Sequence, residues 1–248
     1  MSDDEFSTLR MRSAADRVVV ELNRPAQRNA INAAMVAELH AVCARIEAQP
    51  RILILAGAGR DFAAGADIAE LRARGAADAL AGINRTVFDR IAALSLPTIA
   101  AVEGNALGGG AELSYACDLR IAGVGARFGN PEPGLGILAA AGASYRLPGL
   151  VGGSIAKQVI LGGRVLDSTA ALACGLVAEV VADGTALTAA GALADRIARQ
   201  APLALRLSKA VLDAESPHPL LDDLAQAVLF DSPDKAKRMT HFLDRSAG

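Results

Sequence analysis

The chain has 248 residues, of which 52% are hydrophobic, and its formal net charge is −2. This length and composition allow one large domain with a sizeable core. The balanced charge, the 3% aromatic content and the lack of tryptophan argue against nucleic acid or an anionic membrane as a partner, because both need basic surface and nucleic acid also needs stacking side chains. No run reaches the ~18 apolar residues of a membrane span, and the acidic start does not resemble a signal peptide.

The cysteines and histidines argue against a disulfide framework and against a metal centre. Cys43, Cys117 and Cys174 are scattered and odd in number, which favours a reducing, cytoplasmic compartment. The three histidines are far apart and lack the spacing of metal ligands, so we expect no metal site.

The N-terminal part predicts a hairpin, a helix and a buried strand. The valine-rich segment 17–22 is predicted to pair with residues 9–13 across a short turn. Asn32 fits the N-cap of a helix, because apolar residues follow it at helical spacing. The continuous apolar run 52–56 predicts a buried strand.

A loop of small residues follows this strand. Residues 61–67 have little side-chain bulk, and a helix is predicted to begin at Ile68. A second helix is predicted over residues 77–94, before a buried strand that follows Pro97.

The segment from Thr98 to Leu113 is the most informative stretch of the chain. Its apolar strand breaks into three glycines at 108–110, and a helix-compatible run extends from Ala111 to Cys117. Glycine loses the most backbone freedom on folding, so such a run indicates a tight bend or close contact with a ligand. A helix that begins here would direct free N–H groups into the space in front of it, with Glu112 in its first turn.

The remainder of the chain is predicted to be mainly helical. Strands are expected at 118–122, 126–129 and 176–181, and Glu132 lies between two prolines in a rigid turn. Two short amphipathic helices are predicted within residues 216–245. The alternation of strands and helices indicates an α/β fold with mostly parallel pairing, which we divide into a core of residues 1–183 and a helical C-terminal region of residues 184–248.

Several common site types lack a defining residue here. The glycine segment has no Lys-Ser/Thr of a phosphate-binding loop, and Phe62 stands where the dinucleotide fingerprint that begins at Gly57 needs glycine. No Gly-x-Ser-x-Gly motif supports a hydrolase triad. Glu112 and Glu132 can instead form a carboxyl pair that divides the roles of acid and base.

Several motifs, in this order, resemble the enoyl-CoA hydratase/isomerase (crotonase) family over nearly the whole chain. They are Leu22-Asn-Arg-Pro25 with Asn29-Ala30, Phe62-Ala-Ala-Gly-Ala-Asp-Ile68, Gly104-Asn-Ala-Leu-Gly-Gly-Gly-Ala-Glu-Leu113, Cys117-Asp118, Phe128-Gly-Asn-Pro-Glu132 and His241-Phe-Leu-Asp-Arg245. The resemblance implies a spiral of ββα units with a helical C-terminal region that builds a homotrimer or a dimer of trimers.

The resemblance also implies a site. The backbone amides of Ala66 and Gly109 would form an oxyanion hole, and Glu112 and Glu132 would be the catalytic acids. Glu132 would donate a proton to C2, while Glu112 would hold and activate the water. Coenzyme A would be bound as part of the acyl-CoA substrate, with no further cofactor, and the following positions would line the CoA and acyl sites: Ala64, Ala66, Asp67, Ile68, Gly109 and Ala140.

The expected activity is hydration of a 2-enoyl-CoA to a 3-hydroxyacyl-CoA. The alternatives are a double-bond isomerase or other enolate-forming enzyme, and a non-catalytic acyl-CoA-binding protein. Three positions depart from the family pattern: Ala140 replaces a glycine, Ala69 replaces a frequent lysine, and Lys237-Arg238 replaces Glu-Gly. These departures affect the expected substrate range and CoA affinity more than the reaction type.

Overall fold

A computed structural model describes residues 6–214 and 219–246. Within these residues the chain forms two β-sheets surrounded by helices. The strands are β1 Leu9–Ser13, β2 Arg17–Leu22, β3 Ile52–Gly57, β4 Thr98–Val102, β5 Asn105–Leu107, β6 Leu119–Gly123, β7 Arg127–Gly129, β8 Leu166–Asp167 and β9 Glu179–Val181. The helices are α1 Ala33–Ala48, α2 Ile68–Ala73, α3 Ala76–Ala81, α4 Ile83–Ala92, α5 Gly109–Tyr115, α6 Ala143–Val151, α7 Gly153–Ile160, α8 Ser168–Ala173, α9 Ala186–Ala198, α10 Pro202–Leu212, α11 Pro219–Phe230 and α12 Pro233–Ser246.

The larger sheet has the strand order β1-β2-β3-β4-β6-β9. β1 and β2 pair antiparallel, and every other neighbouring pair is parallel. The central strands are buried on both faces, as their continuous apolar sequences require. This arrangement confirms the predicted α/β fold with mostly parallel pairing.

The smaller sheet has the order β5-β7-β8, and its first strand, β5, follows the central strand β4 directly in the chain. Two isolated bridges extend it, one between Ala63 and Ala106 and one between Ile31 and Ala66. The loop of residues 62–67 therefore runs as a strand-like layer between Ile31 and β5. This layer holds the loop rigidly beside the glycine segment.

Helices cover both faces of the larger sheet. On one face Ala186, Ala190 and Ala194 of α9 pack against isoleucines of β3, β4 and β6. The opposite face belongs to the main core, where α1, α4 and α5 bury their apolar residues. The small residues of α9 allow its backbone to approach the sheet closely. The division of the chain at residue 183 remains a prediction.

The predicted elements of the first half are largely confirmed. The hairpin has the predicted bounds, and the side chain of Asn32 caps α1 by accepting a hydrogen bond from the amide of Met35 (3.0 Å). α2 begins at Ile68, where the side chain of Asp67 caps it. β3, β6, β7 and β9 differ from their predicted ranges by one to three residues at an end.

Three predictions need correction. The single helix predicted over residues 77–94 is two helices, because Gly82 adopts φ +61° between α3 and α4. The helix of the glycine segment begins at Gly109, two residues before the predicted Ala111. β5 and β8 were not predicted, since strands of three and two residues are too short to show a period.

The two predicted C-terminal helices are confirmed as α11 and α12. Part of the predicted range, residues 215–218, lies outside the described residues. The rigid turn around Glu132 is a short 3-10 helix, Glu132–Leu135.

A buried arginine holds the C-terminal end of α5. The guanidinium of Arg120 donates hydrogen bonds to the carbonyl oxygens of Leu176, Ser114 and Cys117 at 2.6, 3.1 and 2.6 Å. A cation is favourable at this end of a helix, where carbonyl groups lack helical partners. Arg120 thereby joins α5 to the segment that leads into β9.

Substitution of Gly110 tests the packing that positions α5. A Cβ at Gly110 would overlap the carbonyl oxygen of Ala63, whereas a Cβ at Gly191 of α9 would meet no atom within 4 Å. We expect Gly110→Ala to lower the free energy of unfolding by about 2 kcal/mol or more, as overpacking does. Gly191→Ala, the matched control, should raise it by about 0.5–1 kcal/mol because alanine favours the helix. Urea denaturation measures both changes, and a neutral Gly110→Ala would contradict the described packing.

Candidate active site

The glycine segment brings two backbone strands into direct contact. Gly108 adopts φ +50°, which turns the chain from β5 into α5. The next turn places Gly110 against the carbonyl of Ala63, where no side chain would fit. The N-terminus of α5 therefore lies against the loop of residues 62–67.

Two amides from these segments face one small space. An ideal Cβ on Gly109 would lie 3.4 Å from the amide nitrogen of Ala66, and one on Gly65 would lie 3.9 Å from the amide nitrogen of Gly109. Among the hydrogen bonds of the described residues, neither the Ala66 nor the Gly109 amide has a protein acceptor. The predicted oxyanion-hole residues are thus close together, and both N–H groups are free to bind a ligand oxygen.

Hydrogen bonds fix the loop that carries Ala66. The carboxylate of Asp61 accepts from the backbone and side-chain nitrogens of Asn105 at 2.9 and 2.6 Å. Ile31 donates to the carbonyl of Gly65 and accepts from the amide of Asp67, at 2.8 and 2.9 Å. Because the bonded groups flank Ala66 on both sides, its amide is held in one orientation.

Glu112 lies in the first turn of α5 and is 3% exposed. Its Oε1 accepts hydrogen bonds from the amides of Ala141 (2.8 Å) and Ala143 (3.1 Å). Burial is the main cause that raises the pKa of Glu112 to about 7, and the nearby charge of Glu132 contributes to the rise. The two amide donors oppose this rise because they favour the ionised form.

Glu132 is buried beside the glycine turn. A Cβ on Gly108 would lie 3.1 Å from its Oε1. Within the described residues no donor has hydrogen-bond geometry to either of its carboxyl oxygens, and Nδ2 of the adjacent Asn130 is also buried and unpaired. Burial raises the pKa of Glu132, and Asn130 lies close enough to offset part of that effect.

The two carboxyl groups form an electrostatically coupled pair. They come from different elements, α5 and the 3-10 helix after β7, and lie close enough for the charge of Glu132 to raise the pKa of Glu112. Two buried carboxyl groups that repel each other do not both ionise readily, so the pair retains one proton over part of the neutral range.

The other predicted binding residues lie along the same edge. Ile68 is 59% exposed, and Ala140 is exposed next to the amide of Ala141 that binds Glu112. The amides of Ala64 and Asp67 are already bonded to Arg28 and Ile31 within the protein. Neither N–H group is therefore free for a ligand, and the carbonyl of Asp67 already accepts from the amide of Leu71.

Sequence reasoning missed the groups that support the glutamates. The hydroxyl of Tyr115 donates to Oδ1 of Asn130 (3.2 Å), and the amides of Ala141 and Ala143 bind Glu112. Asn84 of α4, also missed, is buried and approaches the space beside Gly109. Its position three and four residues before the apolar residues Val87 and Phe88 suggested only a helix face.

Two further features concern metals and membranes. Among residues 6–214 and 219–246, no group of three or more histidine, cysteine, aspartate or glutamate side chains is arranged to hold a metal ion. In the same part of the chain, every helix is too short or too polar to cross a membrane.

Comparisons with known proteins show the family of this chain. A family model described as enoyl-CoA hydratase/isomerase matches residues 14–245. The short-chain-enoyl-CoA hydratase of Clostridium acetobutylicum is 37% identical over 241 residues, which cover 92% of this chain and 91% of the relative. The 2,3-dehydroadipyl-CoA hydratase of Escherichia coli is 36% identical over 235 residues, with 92% of each chain covered.

Solved structures give the same result for the fold. The enoyl-CoA hydratase subunit I of Geobacillus kaustophilus superposes with a TM-score of 0.91 at 34% identity, covering 98% of this chain and 97% of that one. The enoyl-CoA hydratase of Bacillus anthracis also gives a TM-score of 0.91, at 32% identity, with 96% and 97% covered. The crotonase-like fold is thereby confirmed, and the chain belongs to the enoyl-CoA hydratase/isomerase family.

Proposed function

We propose that this protein adds water to a 2-enoyl-CoA thioester to give a 3-hydroxyacyl-CoA. The observation that carries the proposal is the closeness of two free amides, at Ala66 and Gly109, to a glycine turn whose neighbours Glu112 and Glu132 are both buried and interact electrostatically. The curated relatives at 36–37% identity are named as enoyl-CoA hydratases, which supports the same reaction.

The amides of Ala66 and Gly109 are proposed to bind the thioester oxygen. Attack of water on C3 moves negative charge onto this oxygen, and fixed N–H donors stabilise that charge without reorganisation. Losing one such donor typically costs about 2.7–4 kcal/mol of the catalytic effect. Small residues at positions 66 and 109 leave room for the thioester beside the backbone.

The glutamates are proposed to handle the protons. Glu112 keeps its orientation through two amide donors, so its other oxygen can orient and deprotonate a water for attack on C3. Glu132, which lacks such donors and is buried, is suited to hold a proton and deliver it to C2. After the reaction Glu112 carries the proton taken from water and Glu132 lacks one, and exchange of protons with solvent restores both glutamates.

CoA is proposed to bind along the loop of residues 64–68, with the acyl group near Ala140. The relatives' names support an acyl-CoA substrate. Ala140 and Ala69 depart from the family pattern. Rates and affinities for a panel of acyl-CoA substrates would measure their effect on acyl range and CoA binding.

The proposed assembly is a homotrimer or a dimer of trimers in the cytoplasm. Support for assembly comes from α11, where Leu221, Leu224, Val228 and Phe230 are exposed apolar side chains that a partner could cover. Support for a reducing compartment comes from the three cysteines, none of which is paired in a disulfide.

Replacing either glutamate should abolish most of the activity. With crotonyl-CoA as substrate, loss of the enone-thioester absorbance reports hydration. Glu112→Gln and Glu132→Gln should each lower kcat by about 10²–10⁴-fold, because each removes one proton-transfer group, and CoA binding should persist. Glu179→Gln, at an exposed glutamate of β9, is the matched control and should leave kcat unchanged.

Two outcomes would contradict the proposal. A wild-type protein that hydrates no 2-enoyl-CoA of any chain length, yet shifts the double bond of a 3-enoyl-CoA, would be an isomerase. A glutamine variant with the wild-type rate would remove that glutamate from the mechanism.

The raised pKa of Glu112 makes stability depend on pH. Between its usual value of 4.5 and its value of about 7 in the fold, the folded state keeps a proton that the unfolded state releases, so stability falls as pH rises through this window. Glu112→Gln removes this effect, and at pH 8 it should be more stable than wild type by up to about 3 kcal/mol. The gain should shrink towards pH 5. Thermal unfolding at both pH values measures it, and an equal change at the two would contradict the assigned shift.

A further inference from the structure

Asn84 is a buried polar residue on an otherwise apolar helix face. It is 8% exposed at the second position of α4, and the buried residues that follow it on this helix are Val87, Phe88 and Ile91. A buried carboxamide is costly unless its polar atoms are bonded. The carboxamide of Asn84 therefore needs hydrogen-bond partners, from the protein or from a molecule in the adjoining space.

Arg74 fixes the orientation of this carboxamide. Its guanidinium donates to Oδ1 of Asn84 at 3.0 Å and lies 3.8 Å from the carboxylate of Glu70. Because Oδ1 is occupied by a donor, the Nδ2 end must face the other way. Within the described residues, no acceptor bonds to Nδ2.

Nδ2 of Asn84 faces the same space as the two free amides. A Cβ on Gly109 would lie 3.4 Å from the amide nitrogen of Ala66, 3.8 Å from Nδ2 and 3.8 Å from the carbonyl carbon of Gly65. One atom-sized opening is thus bordered by three nitrogens, from Gly109, Ala66 and Asn84. Each of these nitrogens carries a hydrogen that has no acceptor among the described residues.

We infer that Asn84 is a third hydrogen-bond donor at the thioester, with Arg74 as the positioning residue that holds its carboxamide. The inference rests on the proposed function and deepens it. The Asn84 amide adds a side-chain dipole to the two backbone dipoles around the developing charge. The guanidinium of Arg74 polarises the carboxamide further, because donors in a chain of hydrogen bonds strengthen one another.

Kinetics of Asn84 variants test the inference. Asn84→Leu keeps a similar volume without a donor and should lower kcat for crotonyl-CoA by about 10- to 100-fold, at or below the loss seen for one oxyanion-hole donor. The affinity for a saturated acyl-CoA should stay close to wild type. Asn84→Asp, which places a carboxylate at the developing charge, should lower kcat at least as much. Arg85→Leu, on the exposed side of the same helix, is the matched control and should leave kcat unchanged.

Arg74 should behave as a residue that acts through Asn84. Arg74→Leu frees the carboxamide of Asn84 to rotate, so it should lower kcat when Asn84 is present. In a protein that already carries Asn84→Leu, the same substitution should cause little further loss of kcat. Fully additive losses would contradict this assignment.

The carbonyl stretching frequency of a bound 2-enoyl thioester provides a readout that packing alone would not move. Difference Raman spectroscopy should show a smaller downshift with Asn84→Leu than with wild type, since one donor is missing. This measurement needs binding but no turnover, so it tests Asn84 even if the protein is not a hydratase. An unchanged frequency in Asn84→Leu, or in the nearly isosteric Asn84→Asp if the leucine variant does not fold, would overturn the inference.

Discussion

The contact between Gly110 and the carbonyl of Ala63 is the constraint on which the site depends. It brings the N-terminus of α5 against the loop of residues 62–67 with no side chain between them. The same approach places the amides of Ala66 and Gly109 side by side and puts Glu112 in the first turn behind them. Arg120 secures the opposite end of α5 through backbone carbonyls, so both ends of this short helix are fixed.

The burial of the site residues explains both halves of the proposed chemistry. Exclusion of water makes fixed N–H donors more effective at a developing negative charge. The same exclusion raises the pKa values of Glu112 and Glu132, because neither anion is well solvated. One structural feature, the burial of the site, therefore both favours stabilisation of the developing charge and keeps a proton available near neutral pH.

The sequence predicted those parts of the fold that carry long or strongly patterned signals. The buried runs of β3 and β4 and the capped start of α1 were evident, and the three consecutive glycines indicated a close backbone approach. The break at Gly82 and the strands β5 and β8 were not predictable, because helical periodicity continues across the glycine and two- or three-residue strands have no period.

The positions of Glu112 and Glu132 beside glycine-rich and proline-rigid backbone suggested a carboxyl pair, and the family resemblance gave each its role, although their spacing in the chain carries no periodic signal. Asn84 could not be predicted, because it is a single amide on an apolar helix face and only the folded backbone brings its Nδ2 near Gly109 and Ala66.

A crystal structure with a bound, unreactive acyl-CoA tests the central claim most directly. The account predicts that the thioester oxygen lies within about 2.7–3.1 Å of the amide nitrogens of both Ala66 and Gly109, the range of an effective oxyanion hole. A thioester oxygen bound to solvent or to another wall, with these two amides left free, would contradict it.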